Sequence, residues 1–191
     1  MSDASVTGVT TTGVTIQDMG QRIAAWTEAL GFESVSDGPD SCIIHSRGGE
    51  TRWFVFRGPG EIIVTSSQRS KMEAWFAFSS ADLVDVERYL VGVIGPALRA
   101  ELMPQAPRIK PRVRLDELAP PFAYVPARSN SRQAELMDGG YYRARFASLK
   151  SPVQAVRFSQ YANVPVDELK AAFLDPDGGT IFAVDPYETS A

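Results

Sequence analysis

The chain holds one cysteine, Cys42, and one histidine, His45, so chemistry that needs several of either is short of parts. Zinc held by Cys and His alone takes four such ligands, and a disulfide framework takes paired cysteines. Cys42 and His45 stand three apart in a strand-like run, so their side chains point to opposite faces and cannot meet as nucleophile and base. A serine triad would need His45 as its base, and no G-x-S-x-G elbow presents a serine. Carboxylates occur as Asp37/Asp40, Asp82/Asp85 and Asp175/Asp177. Acid–base work on a glycoside needs two carboxylates across a cleft, and nothing in these spacings supplies one. Asp82 and Asp85 suit a first helical turn, where negative charge complements the helix dipole. Asp175-Pro176-Asp177-Gly178 begins like a calcium loop but lacks its later ligands and terminal Glu, and reads as a turn. The glycines at 48–49 and 58–60 join strand to strand, unlike phosphate-binding loops, which lead into a helix.

Two further patterns concern recognition. Arg108, Lys110, Arg112 and Arg114 place four cations within seven residues of a proline-containing loop. That run reads either as a solvated connector or as a contact surface, since guanidinium forks match carboxylates and phosphates. Residues 153–174 have the helix-turn-helix spacing of a DNA reader. The second helix, VDELKAAFL, opens with Asp167 and Glu168 and offers only Lys170 as a cation, so packing of a helical pair is the better reading. A DNA-binding regulator built on 153–174 stays as an alternative, beside a small-molecule module or enzyme with an unrecognised carboxylate site.

The elements that must position these groups follow from periodicity. Asp18 is expected to cap a helix with an apolar stripe at Met19, Ile23, Trp26 and Leu30, closed by Gly31. Residues 36–40 read as a turn. Strands are expected at 42–46, 51–57, 61–66 and 72–78, joined by glycine turns as antiparallel hairpins. In 51–57, Trp53 and Val55 share one face while Phe54 and Phe56 share the other. Such a strand is covered on both sides, or covered on one and open on the other. Ser79 or Ser80 should cap the longest helix, striped by Leu83, Val86, Leu90 and Val93. Pro96 should kink or break it, or start a second piece reaching Leu102. Residues 103–131 hold six prolines and read as a long loop region. Strands at 141–146 and 180–184 flank two short helices at 153–161 and 166–174.

The whole is expected to be a single α+β domain over 15–187, an antiparallel sheet of about five or six strands packed by helices, behind a flexible 1–14. At 191 residues a normal core needs no staples. No run approaches the ~20 apolar residues that span a bilayer. The N-terminus lacks the basic and apolar regions of a secretory signal, which points to the cytoplasm. The net charge is −4, distributed as −3 over 1–80, +3 over 81–150 and −4 over 151–191. Non-specific nucleic-acid binding needs many phosphate-neutralising cations, and an acidic chain does not favour it.

The stretches TRWFVF (51–56), IIVTSSQRS (62–70), WFAF (75–78) and VERYLVGVIGPALRAEL (86–102) resemble the immunity-protein family that includes the antitoxin of tuberculosis necrotizing toxin. YANVPVDELKAAFL (161–174) is similar to that family's late helical pair. The matching residues include Arg69, Glu87, Arg88, Tyr89, Gly92, Gly95 and Arg99, which are packing rather than chemical motifs. Residues 1–40 and 103–135 carry no match. The resemblance implies a non-enzymatic inhibitor without cofactor or metal, which binds a cognate exported toxin in the producing cell's cytosol and blocks its active site. The toxin of the named relative hydrolyses NAD. Under this reading Arg108, Lys110, Arg112 and Arg114 are the candidate toxin-binding residues, and neither nucleic acid nor membrane is a partner.

Overall fold

Thr15 starts the first helix, α1 (Ile16–Trp26). The computed structural model describes residues 13–46, 48–68, 73–127, 132–147 and 152–184; the flexible segment expected at 1–14 lies almost wholly outside them. The Thr15 hydroxyl accepts from the Asp18 amide at 3.1 Å, and the Asp18 carboxylate accepts from the Thr15 amide at 2.9 Å. The cap is therefore Thr15, one turn before the residue the sequence favours, and Asp18 is the reciprocal half of a capping box. Ile16, Met19 and Ile23 are buried. After one 3-10 turn at 28–30, Gly31 reverses the chain with φ 65°.

Eight strands follow: β1 (Glu33–Gly38), β2 (Ser41–His45), β3 (Thr51–Gly58), β4 (Glu61–Gln68), β5 (Trp75–Ser80), β6 (Phe122–Val125), β7 (Gln133–Asp138) and β8 (Tyr141–Ala147). They form one antiparallel sheet in the order β1-β2-β3-β4-β5-β8-β7-β6. Two meanders thus meet where Phe78 of β5 pairs with Phe146 of β8. The sheet exceeds the five or six strands expected, because β1, β6 and β7 have weak strand signals. The β1 sequence ESVSDG holds one branched apolar residue, β6 lies between prolines inside the supposed loop region, and QAELMD in β7 is composed largely of residues depleted in strands. Pairing and burial of Ala134 and Leu136 override that composition. The strand expected at 180–184 is reduced to one bridge, Ile109 with Val184, and the Lys110 amide donates to the Ala183 carbonyl at 2.8 Å.

Between the meanders runs α2 (Leu83–Leu102), capped by Asp82, whose carboxylate accepts from the Val84 amide at 2.9 Å. Ser79 and Ser80, the expected caps, are buried in β5 instead. Pro96 removes one intrahelical donor, yet the helix continues through it to Leu102; Ile94, Leu98 and Arg99 bury on either side and hold the last turns in place. The chain closes with α3 (Val153–Ser159) and α4 (Val166–Phe173).

The helices cover one face of the sheet. Phe78 stacks on Tyr89 of α2, and Phe146 meets Phe158 of α3. Gly20 of α1 sits so near Cys42 that a Cβ there would lie 2.8 Å from its sulfur. Trp53 and Val55 point into this core. The opposite face answers the question posed by the second strand. Strand register aligns Val35, Ile43, Phe54, Thr65 and Phe76 in one row, with Phe56 beside Ile63 in the next. Val35 is 52% exposed and Phe56 38%. β3 is covered on one side and open on the other.

Candidate functional site

Three surfaces of α2 are committed to packing. Glu87, 3% exposed, accepts from Lys170 of α4 at 2.9 Å and from Arg22 of α1 at 2.5 Å. One carboxylate thereby ties three helices together. Arg88 donates to the Val164 carbonyl at 2.7 Å and to Asp85 at 2.8 Å. Asp85 is fully buried and also pairs with Arg143 of β8 at 2.6 Å; burial pushes its carboxyl above the ordinary value, against the pull of Arg143. The Tyr89 ring lies 4.4 Å from Phe78, nearly parallel, and burial raises its phenol. The missing side chain of Gly92 makes room for the Tyr161 hydroxyl, and that of Gly95 for the Phe173 ring, 2.5 Å from where a Cβ would stand. Arg69, the remaining residue of the motif set, lies outside the described residues.

Arg99 begins the last turns of α2 and faces a different structure. It is 4% exposed, and its guanidinium donates to the carbonyls of Pro107, Phe173, Asp175 and Pro176. The proline segment and the end of α4 are thus pinned to α2 through one side chain. Between them opens a cavity of about 560 Å³. Arg108, Lys110 and Arg112 line its proline-segment wall, Pro96 and Arg99 its α2 wall, and Tyr161, Phe173 and Phe182 its apolar floor. Arg114 does not line it. It makes a two-bond pair with Asp116, at 2.9 and 3.0 Å, on the exposed surface. The amides of Val113 and Arg114 donate to the Glu117 carboxylate and hold it below the usual carboxylate range. The four cations close in sequence therefore split into three on the cavity and one beside it. A fifth, Arg157 of α3, joins the three from a distant part of the chain. Arg157 is not legible in the sequence, because a lone cation in a short helix carries no spacing signal.

Likeness to known proteins over most of the chain decides what this frame is. A family model described as immunity protein 61 matches residues 24–180, from the end of α1 to beyond α4. The chain belongs to the immunity protein 61 family. It is 26% identical over 171 residues to the immunity factor for TNT of Mycobacterium tuberculosis, covering 87% of this chain and 94% of that protein. The homolog of that factor in Mycobacterium bovis matches to the same extent. The solved structure of Rv3902c from M. tuberculosis superposes with a TM-score of 0.72 at 27% identity, over 92% of this chain and 98% of that one. The resemblance read from 51–102 and 161–174 holds, and the match also spans the proline segment that carried none.

In this immunity protein 61 chain the other constellations have structural surroundings. Cys42 is buried and its thiol is pushed up to about 11 by desolvation, while His45 lies on the open sheet face in register with Arg52. Asp40 pairs with Arg57 at 2.8 Å. Asp175 accepts from the Asp177 amide at 2.8 Å, as a turn requires. Among the described residues no three His, Cys, Asp or Glu side chains converge as a metal site. The α3–α4 pair buries Val156, Phe158, Leu169 and Phe173, and Lys170, the cation of its second helix, is engaged by Glu87. No helix among the described residues is long and apolar enough to cross a membrane.

Proposed function

We propose that this chain is an antitoxin: in the cytoplasm it binds a cognate secreted toxin domain and blocks that domain's active site, performing no chemistry itself. The observation that carries this is membership of the immunity protein 61 family over residues 24–180, supported by relatives named immunity factor for TNT. The finer part of the proposal is that the toxin degrades NAD, as the resemblance implies for the relative's partner.

Arg108, Lys110, Arg112 and Arg114 are proposed to contact the toxin. Their backbone is held by the Lys110–Ala183 bond and by Glu117, so the guanidinium groups stand on a fixed ledge. Arginine anchors of this kind contribute much of the energy of interfaces near 1,600 Å², and a basic patch steers an acidic partner toward the correct orientation. Glu87, Arg88, Tyr89, Gly92, Gly95 and Arg99 are proposed to act by holding the frame, with Arg69 assigned to the same group by sequence alone.

The test is co-expression with a candidate toxin domain, sought first among the genes next to this one. Survival, preserved NAD and a stoichiometric complex on size exclusion are expected. Arg112→Glu with Arg114→Glu should lower affinity at least about tenfold, through loss and reversal of charge-assisted bonds. Unchanged killing would refute the antitoxin role. Loss of binding on Phe56→Asp, with the arginine variants unaffected, would move the contact to the open sheet face.

A further inference from the structure

Beyond a partner-facing surface, the cavity between α2, α3, α4 and the proline segment has the make-up of a ligand pocket. Its volume, about 560 Å³, falls within the roughly 300–1,000 Å³ range of small-molecule sites. An Asp or Glu side chain reaching in from a partner would leave most of it unfilled.

The electrostatics of the pocket are one-sided. Arg99, Arg108, Lys110, Arg112 and Arg157 line it, and no carboxylate does so among the described residues. Arg99 matters most, because it is buried and its acceptors are carbonyls of Pro107, Phe173, Asp175 and Pro176, none of them ionised. Carbonyl dipoles satisfy its donors and leave its full positive charge standing at the wall. Arg157 has the complementary deficit: its Nε is buried and meets no acceptor among the described residues. A buried donor without a partner is a standing cost, which an anion seated against the Arg157 guanidinium would offset. Concave, low-dielectric walls concentrate such a field. The floor, in contrast, is aromatic: Tyr161 and Phe173 are 5% and 2% exposed, and Phe182 meets them at 68° and 43°, so the three rings present faces and edges together. Aromatic floors favour flat apolar bodies.

We infer that this cavity is a binding site for a small organic anion, a phosphate or carboxylate carried on a flat apolar body, with Arg157, Lys110 and Arg112 as its hydrogen-bonding cations. The site shares Lys110 and Arg112 with the proposed toxin contact, but it forms without a partner protein and its binding is read on the chain alone.

The probe is 1-naphthyl phosphate, titrated calorimetrically into the purified full chain at low salt beside 1-naphthol and inorganic phosphate. The ester should bind one-to-one, at least about tenfold tighter than naphthol or phosphate alone, and weaken as salt is raised. Arg157→Gln, and Lys110→Gln combined with Arg112→Gln, should each reduce affinity about tenfold, the loss of a charge-assisted bond. Ala106→Trp, which fills the cavity, should abolish binding. Urea unfolding establishes that each variant is folded, and arginine side-chain NMR of the unmutated protein should show the probe shifting the Arg157 Nε–H signal. Equal affinity for naphthol and its phosphate ester, or an Arg157 signal that does not move, would overturn the inference. So would a blocked acidic peptide that binds as tightly as the ester, because the pocket would then receive a protein segment.

Discussion

Replacing Arg99 by methionine is the most informative perturbation of this fold. Methionine keeps the length and apolar stem of the side chain but none of its donors. The guanidinium makes five bonds, to Pro107 at 3.2 and 2.9 Å, Phe173 at 3.0 Å, Asp175 at 2.5 Å and Pro176 at 2.6 Å. Hydrogen bonds to a charged group contribute about 1.5–3 kcal/mol each, so the gross loss is on the order of 10 kcal/mol. Against this stands relief from burying an unpaired cation, several kcal/mol after relaxation. Carbonyls that reach water once the segment loosens recover part of the rest. The expected net destabilisation is about 3–5 kcal/mol, a large share of the roughly 5–15 kcal/mol typical of a domain. Urea unfolding followed by fluorescence measures it as a lower midpoint. Arg99→Lys, which keeps the charge but loses the planar fork, should fall between the two. Hydrogen exchange should quicken at the amides of Lys110 and Gly178, which donate to Ala183 and Asp175 just beyond the Arg99 contacts. A loss below about 1 kcal/mol in the methionine variant, with unchanged exchange at those amides, would refute the role given to Arg99.

Three other outcomes follow from the same contacts. Gly95→Ala inserts a Cβ 2.5 Å from the buried Phe173 ring; a cost of about 1–3 kcal/mol from overpacking is expected, and an unchanged urea midpoint would contradict it. Glu87→Gln and Lys170→Met should couple in a double-mutant cycle by about 1–3 kcal/mol, because the pair is nearly buried and 2.9 Å apart; additive effects would show that the contact contributes nothing of its own. Burial pushes Glu61 up, but its ion pair with Arg145 and the bond it accepts from the Tyr142 hydroxyl outweigh that, and its carboxyl sits below the usual value of 4.5. A depressed carboxylate adds stability above its unfolded pKa that is lost as pH falls through the lower folded one. Glu61→Gln should therefore flatten the acid limb of stability below about pH 5, and parallel acid limbs in the two proteins would exclude this contribution.

The frame was far more legible than the pocket. Strong periodicity announced α2 and the β2–β5 hairpins, since Val86 and Leu90 bury where the stripe requires. The capping box was readable as Thr15-x-x-Asp18, but Asp18 alone drew attention. β7 was hidden because Gln133-Ala134-Glu135-Leu136 has little intrinsic strand preference, and its pairing with β8 decides the matter. Pro96 promised a break that packing on both sides overrides. The four clustered cations were visible, but their division between cavity and surface depends on where Arg114 meets Asp116. Arg157 reaches the others only after the chain has crossed β6, β7 and β8. Long-range convergence of this kind leaves no local pattern.

Arg99 grips the proline segment and the end of α4 by carbonyl oxygens alone. Every amino acid carries that atom, so the clamp places no demand on which side chains occupy 103–112 or 173–176. The bonds themselves are indifferent to the side chains of the proline-segment wall, whereas Phe173 is fixed separately by its packing on Gly95. The chain thus separates what fastens the pocket wall from what that wall presents.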